Sequence, residues 1–195
     1  MKRAFDIVAS GLGLLVLSPV LLGVALLIKL SSRGPVLFRH ERVGRNFRPF
    51  SMYKFRTMVP DAPRLGGPLT AGDDPRITTI GRVLRKTKLD ELPQLFNVLR
   101  GEMSLVGPRP EVPCYVDMYR QEYQEILKAR PGITDLASLK YRHEEQILGQ
   151  LPNPEEEYVR NILPEKIRLS KEYLQSSSFL YDLGLIAKTF RALLA

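Results

Sequence analysis

Residues 7–28 read IVASGLGLLVLSPVLLGVALLI, an uncharged run of 22 residues whose reading decides how the rest of the chain is placed. As a straight helix rising 1.5 Å per residue, such a run reaches roughly 30 Å, the thickness of a bilayer's hydrocarbon core. Lys2 and Arg3 ahead of it look like the basic start of a secretion signal. The apolar run is too long for that reading, and Lys29 follows without a small-x-small cleavage site. Ser18-Pro19 stands at the centre of the run. Proline there removes a backbone donor and collides with the carbonyl four residues back, which predicts a kink or break. The Ser18 hydroxyl is placed to satisfy a backbone group that hydrocarbon would leave bare. Basic residues flank both ends, Lys2 and Arg3 before and Lys29 and Arg33 after, whereas a spanning helix concentrates them on its cytoplasmic side. The residues leave two arrangements open: a kinked spanning helix, and a helix-break-helix that enters and leaves through one leaflet.

Outward from this segment, the 195-residue chain is long enough for one modest core. At 44% hydrophobic and 26% charged it is neither a disordered tail nor a polytopic membrane protein. Cys114 is the only cysteine, and His40 and His143 are the only histidines, so disulfide scaffolds and Cys/His zinc sites are excluded. The net charge of +8 is uneven. Between Lys29 and Met58 lie eight basic residues (Lys29, Arg33, Arg39, Arg42, Arg45, Arg48, Lys54, Arg56) and one acid, Glu41. A basic block of this kind calls for an anionic partner: nucleic acid, lipid headgroups or a phosphorylated substrate.

Pro35–His40 and Phe50–Met58 carry strand composition, with Gly44-Arg45-Asn46 as the connection. Alternation puts Lys54 and Arg56 on one face, where they would either grip a diphosphate or guard a solvated edge. Val59–Pro75 is rich in Pro, Gly and Asp and reads as a loop, and Ile77–Lys88 has helical spacing. In KLDELPQLFNVLRGEMSLVGPRP, residues 88–110, the residues Leu92, Leu95, Phe96 and Leu99 form an apolar helical stripe that Gly101 is placed to stop. Pro93 belongs near a helix start, so Asp90 and Glu91 fall at its N-terminus, where the macrodipole favours carboxylates and phosphates. Two adjacent carboxylates often do no more than cap a helix. Here Arg82, Arg85, Lys86 and Lys88 precede them and Arg109 follows between prolines, a composition suited to a magnesium ion with phosphates. Residues 179–193 repeat apolar side chains at Phe179, Leu183, Ile186, Phe190 and Leu193, an amphipathic helix for the core or the headgroup layer.

Five stretches together resemble the bacterial sugar transferase family, the monotopic phosphoglycosyl transferases: residues 53–58 (YKFRTM), 74–78 (DPRIT) with Gly81-Arg82, 89–94 (LDELPQ), 104–110 (SLVGPRP) and 130–134 (RPGIT). The resemblance covers almost the whole chain, at the length of the family's minimal catalytic form. It implies an α+β, mainly helical fold with a re-entrant membrane helix-break-helix at Ser18 and Pro19, a small β-hairpin and amphipathic helices at the membrane interface. Residues 1–33 would form the hairpin and residues 34–195 one cytosolic catalytic unit, at the cytoplasmic face of the bacterial inner membrane. It further implies transfer of a sugar 1-phosphate from a UDP-sugar to polyprenyl phosphate, with Asp90 as nucleophile and release of UMP. Mg2+ would be held at Asp90 and Glu91, with Lys54, Arg56, Arg85 and Arg109 toward phosphates and Arg142 and Asp182 at further active-site positions. A homo-oligomer is compatible with it. Where many relatives continue Gly-Leu-Ala-Gln-Val-Asn-Gly-Arg after the Pro-Gly-Ile-Thr stretch, this chain reads DLASLKYR at residues 135–142, so sugar specificity does not carry over. The competing readings are a membrane-anchored diphosphate hydrolase and a nucleic-acid-binding membrane protein. The latter finds no reader motif in the sequence, and nucleic acid is not expected as a partner.

Overall fold

The computed structural model describes residues 1–67 and 69–194. Helix α1 (Lys2–Ser31) comes first, followed by an antiparallel hairpin of β1 (Leu37–Val43) and β2 (Pro49–Phe55). A short helix α2 (Ala62–Leu65) lies in the Pro/Gly-rich loop, and α3 (Thr79–Thr87) leads to a 3-10 turn, Leu89–Glu91, and α4 (Gln94–Arg100). Strand β3 (Ser104–Val106) pairs in parallel with β4 (Gly132–Thr134) across helices α5 (Pro113–Met118) and α6 (Arg120–Ile126). Short helices α7 (Leu136–Lys140), α8 (Glu144–Gly149) and α9 (Pro154–Glu157) follow. A π-helical segment, Tyr158–Ile162, then leads into α10 (Leu163–Ser176) and α11 (Phe179–Leu194). The mainly helical α+β class with a small hairpin agrees with the sequence. The strands Pro35–His40 and Phe50–Met58 are shifted to Leu37–Val43 and Pro49–Phe55, and the parallel β3–β4 pair has no counterpart in the sequence reading.

The expected break at Ser18-Pro19 is not resolved as a separate turn: α1 runs as one helix, with Pro19 inside it. The Ser18 hydroxyl donates to the Leu15 carbonyl at 2.7 Å, a contact that compensates locally without ending the helix. One side of α1 lies along the remainder of the protein. At its start Asp6 accepts from the Ser104 hydroxyl at 2.9 Å and the Leu105 amide at 3.1 Å, and Arg3 donates to the carbonyls of Val98 and Leu99 at the end of α4. Midway, a side chain at Gly13 would come within 3.4 Å of Leu95. Toward its end Val24 and Ile28 pack with Phe55 and Leu84. The other side exposes Val8, Leu12, Leu15, Val16, Leu22, Leu26 and Leu30.

The largest apolar cluster joins Val112, Tyr115, Tyr123, Ile126, Leu148, Leu163 and Ile167 from α5, α6, α8 and α10. On β2 the alternation sends Phe50 and Met52 toward Val98 and Met103, and Phe55 to the opposite face against α1. The amide of Asn97 docks α4 on the open edge of β2, accepting from the Tyr53 N–H at 2.9 Å and donating to the Ser51 carbonyl at 2.8 Å. Gly107 and Gly132 are in backbone contact, since a Cβ on Gly132 would stand 2.1 Å from the Gly107 nitrogen. Only glycine admits that approach, and it fixes the Pro108-Arg109-Pro110 segment that follows.

Candidate active site

The chain reverses at Lys88, which adopts a left-handed conformation (φ 58°, ψ 14°) between α3 and the Leu89–Glu91 turn. That geometry costs a non-glycine residue about 1 kcal/mol and places Asp90 within reach of the charge of Arg85 on α3. Lys54 comes from β2, on the face that continues Phe50 and Met52, and Arg109 comes from the segment after β3. The two cations meet on Glu91: Lys54 Nζ donates to Glu91 Oε1 at 2.8 Å and Arg109 Nη2 donates to the same oxygen at 2.7 Å, with Nη1 at 3.5 Å from Oε2. Burial alone would raise the Glu91 pKa, but Arg109 and Lys54 outweigh it and hold the carboxyl well below its usual range. Burial also lowers Lys54, against the pull of Glu91, while the charge of Glu91 raises Arg109.

Asp90 is treated differently. It is 6% exposed, and its buried Oδ1 has no hydrogen-bond partner among the described residues. Burial pushes its pKa up to about 6, with Glu91 adding to the rise and Lys54, Arg85 and Lys88 opposing it. A carboxylate that is incompletely solvated, yet ionised above pH 6, is more nucleophilic than one in water. The N-terminal position expected for the pair is refined: Asp90 and Glu91 lie in the 3-10 turn ahead of α4, with Pro93 at its N-cap.

Around this centre Arg85 donates through Nε to the Thr57 hydroxyl at 3.0 Å and through Nη1 to Glu145 on α8 at 2.6 Å. The structure thus joins Lys54 and Arg109 directly to Glu91, with Asp90 under the charges of Lys54 and Arg85. Arg56 is engaged elsewhere: one residue beyond β2, its guanidinium satisfies the carbonyls of Ser32 and Arg33 at the end of α1. Asp182 binds Lys2 at 2.6 Å and the Tyr173 hydroxyl at 2.8 Å. Arg142 is half-buried, without a hydrogen bond or ion pair among the described residues.

Sequence reasoning missed Asp135. It is 1% exposed, caps α7 by accepting from the Ser138 N–H at 2.7 Å, and accepts from the backbone N–H of Arg109 at 3.1 Å. Its signal was the change in the stretch after residue 134, where a carboxylate stands in place of the glycine of many relatives.

No cluster of three or more His, Cys, Asp or Glu side chains placed for a metal occurs among the described residues. The donor set still fits a magnesium ion, which needs one or two carboxylates and completes its shell with water and phosphate. The bare Asp90 oxygen beside Glu91 supplies that minimum.

A buried carboxylate with an unpaired oxygen, bordered by guanidinium and ammonium groups, suits an electrophile that arrives with negative charge, as a phosphoryl group does. Residues 1–195 match the bacterial sugar transferase family, and the chain belongs to it. It is 43% identical over 197 residues to undecaprenyl-phosphate glucose phosphotransferase of Komagataeibacter xylinus, covering 97% of this chain and 35% of that protein. It is 37% identical over 199 residues to UDP-N-acetylgalactosamine-undecaprenyl-phosphate N-acetylgalactosaminephosphotransferase of Aeromonas hydrophila, covering 100% of this chain and 44% of the relative. With UDP-glucose:undecaprenyl-phosphate glucose-1-phosphate transferase of Caulobacter vibrioides it shares 42% identity over 200 residues, 99% of this chain and 69% of the relative. The chain therefore spans less than half the length of the first two.

Proposed function

We propose that the protein transfers a sugar 1-phosphate from a UDP-sugar to polyprenyl phosphate and releases UMP, through a phosphosugar ester on Asp90. The observation that carries this reading is the bare Oδ1 of a buried Asp90, set beside a Glu91 that Lys54 and Arg109 brace, in a bacterial sugar transferase. A carboxylate oxygen of Asp90 attacks the β-phosphorus, and the bond to the oxygen bridging the two phosphates breaks, with that oxygen leaving on UMP. Polyprenyl phosphate then attacks the ester and regenerates the carboxylate. Lys54, Arg85 and Arg109 offset the charge of the phosphates, which otherwise repels an anionic nucleophile. A magnesium ion held by Asp90 and Glu91 would supply further charge neutralisation. Two separate transfers let a water-soluble donor depart before a lipid acceptor enters.

The membrane arrangement that fits this chemistry is entry and exit through one leaflet at the cytoplasmic face of the bacterial inner membrane. What supports it is that both ends of α1 are tied to one body: Lys2 and Asp6 to β3, α10 and α11, and Val24, Ile28 and Ser32 to α3 and β2. Attachment of both ends to one body supports placing them on the same side of the bilayer. The exposed apolar side of α1 and Phe179, Leu180, Phe190 and Leu193 of α11 would meet lipid.

Purified protein given a panel of UDP-sugars with polyprenyl phosphate should release UMP only when a divalent cation is present. Mass spectrometry after a quench during turnover should find the phosphosugar on Asp90. Free sugar phosphate formed without acceptor would identify a hydrolase instead. Cysteines introduced one at a time at Lys2 and Arg33 in a Cys114→Ser background should label from the same side of sealed vesicles, and labelling from opposite sides would defeat the one-leaflet arrangement.

A further inference from the structure

Just beyond β2 the chain runs antiparallel to the segment that enters α3. Met58 bridges Ile77, the Val59 N–H donates to the Arg76 carbonyl at 2.9 Å, and the Thr78 N–H donates to the Thr57 carbonyl at 3.0 Å. Thr78 caps α3 by accepting from the Gly81 N–H at 2.9 Å. Gly81 then rests on the same Thr57 carbonyl, since a Cβ on it would stand 2.0 Å from that oxygen. A larger residue would lever α3 away from this segment. One α-helical turn further along the same face stands Arg85, whose Nε donates to the Thr57 hydroxyl at 3.0 Å. Thr57 therefore meets α3 twice, by its carbonyl at Gly81 and by its hydroxyl at Arg85. The carbonyl already docks the helix; the hydroxyl adds only a direction for one guanidinium. Arg85 Nη1 donates to Glu145 at 2.6 Å, and Nη2 makes no hydrogen bond among the described residues. The two partners differ in kind. The Glu145 side chain is 44% exposed, so its ion pair yields readily to an arriving anion, whereas Thr57 is 7% exposed and neutral, and leaves the charge of Arg85 uncompensated.

We propose that Thr57 is a positioning residue: its hydroxyl fixes the plane and direction of the Arg85 guanidinium, so that the remaining N–H groups are aimed at the diphosphate of the donor. This rests on the reading above in which Arg85 meets substrate phosphate. Thr57 itself touches no substrate and moves no proton. A guanidinium binds phosphate oxygens well only when its planar fork points at them, and it sits on a long, freely rotating stem. Anchoring Nε, the atom nearest the stem, settles that orientation before the donor arrives. The arrangement also gives one physical reason for two of the motifs, since Gly81 brings α3 close enough for the hydroxyl of Thr57 to reach Arg85.

The test is a double-mutant cycle on kcat/KM for the UDP-sugar, read by UMP release with polyprenyl phosphate present, with melting temperatures measured alongside. Thr57→Val keeps the shape, removes the acceptor, and should lower kcat/KM about 20-fold while melting close to the wild type. Thr57→Ser restores the hydroxyl and should stay within about threefold of wild type. Arg85→Ala should lose about 100-fold, and adding Thr57→Val to it should cost no more than about twofold further, because nothing is left to direct. An equal loss from Thr57→Val in both backgrounds would show a residue acting on the fold at large, and overturns the proposal. So does a lowered melting temperature with a normal kcat/KM, the mark of a purely structural threonine. Should Thr57→Val fail to fold, Thr57→Ala takes its place in the cycle with the same limits. Arg85→Ala separates the two readings: normal kcat/KM in it removes Arg85 from the proposed function and Thr57 with it. A slow Arg85→Ala beside a normal Thr57→Val removes Thr57 alone.

Discussion

Asp90 and Asp182 are buried almost equally, at 6% and 5% exposure, yet the protein uses them in opposite ways. Asp182 has both oxygens engaged, Oδ2 with Lys2 and Oδ1 with the Tyr173 hydroxyl, and so ties the start of α1 to α10 and α11. Asp90 keeps an oxygen bare under the influence of four charges. A satisfied buried carboxylate holds a fold together; an unsatisfied one is held by the fold at a cost, and that cost marks where a ligand belongs.

Breaking the comparison at Asp90 should have the largest effect. Asp90→Asn should lower kcat by more than about a thousandfold, as expected for loss of a nucleophile. In the wild type, kcat should fall as pH drops through about 6, because protonation removes the attacking carboxylate. For stability the sign is opposite to that of an ordinary ion-paired aspartate. The folded pKa lies above the unfolded one, so the protonated form favours folding below about pH 4 and that advantage is lost as pH rises through 6. Thermal melts of Asp90→Asn should therefore gain on the wild type at pH 7.5, by on the order of 1–3 kcal/mol, and lose that gain below pH 4.

Asp182→Asn should separate the two roles from the other side. Removing its charge leaves Lys2 facing Tyr173 and the Val106 carbonyl without its counter-ion, which costs about 2 kcal/mol after allowance for the partial exposure of Lys2. Folded protein should turn over within about threefold of wild type, since both Asp182 oxygens are already engaged by Lys2 and Tyr173. A thousandfold loss of kcat with an unchanged melt would place Asp182 in the chemistry after all. The smallest effect is expected at Asp135→Ser, which keeps a helix cap for α7 but shortens the side chain that reaches the Arg109 amide. There KM for the UDP-sugar should rise about threefold to tenfold, with the melt lowered by no more than about 1 kcal/mol. An unchanged KM would show that Arg109 needs no such support.

Local signals in the sequence were dependable where one residue type has one physical use. Gly101 ends α4 in a left-handed conformation at φ 83°, and the apolar repeat from Phe179 onward is a helix. That Asp90 and Glu91 sit amid basic residues was also legible, because phosphate chemistry draws on few residue types; the choice of Lys54, Arg85 and Arg109 came from the family resemblance. What stayed hidden depends on distant partners. Strands of three residues such as β3 and β4 are too short for a periodic pattern. The partners that Arg56 and Asp182 meet, Ser32 with Arg33 and Lys2 with Tyr173, could not be read from their charges. Pro19 argued for a break, but α1 continues through it while lying against α4.

The Lys2 clamp also orders events during synthesis. Its ammonium waits for Val106, then Tyr173, then Asp182, a cation whose last partner emerges 180 residues after it. The apolar segment reaches the lipid long before the body that will hold its start exists. A nascent chain stopped short of α11 would therefore sit on the bilayer with the start of α1 unlatched.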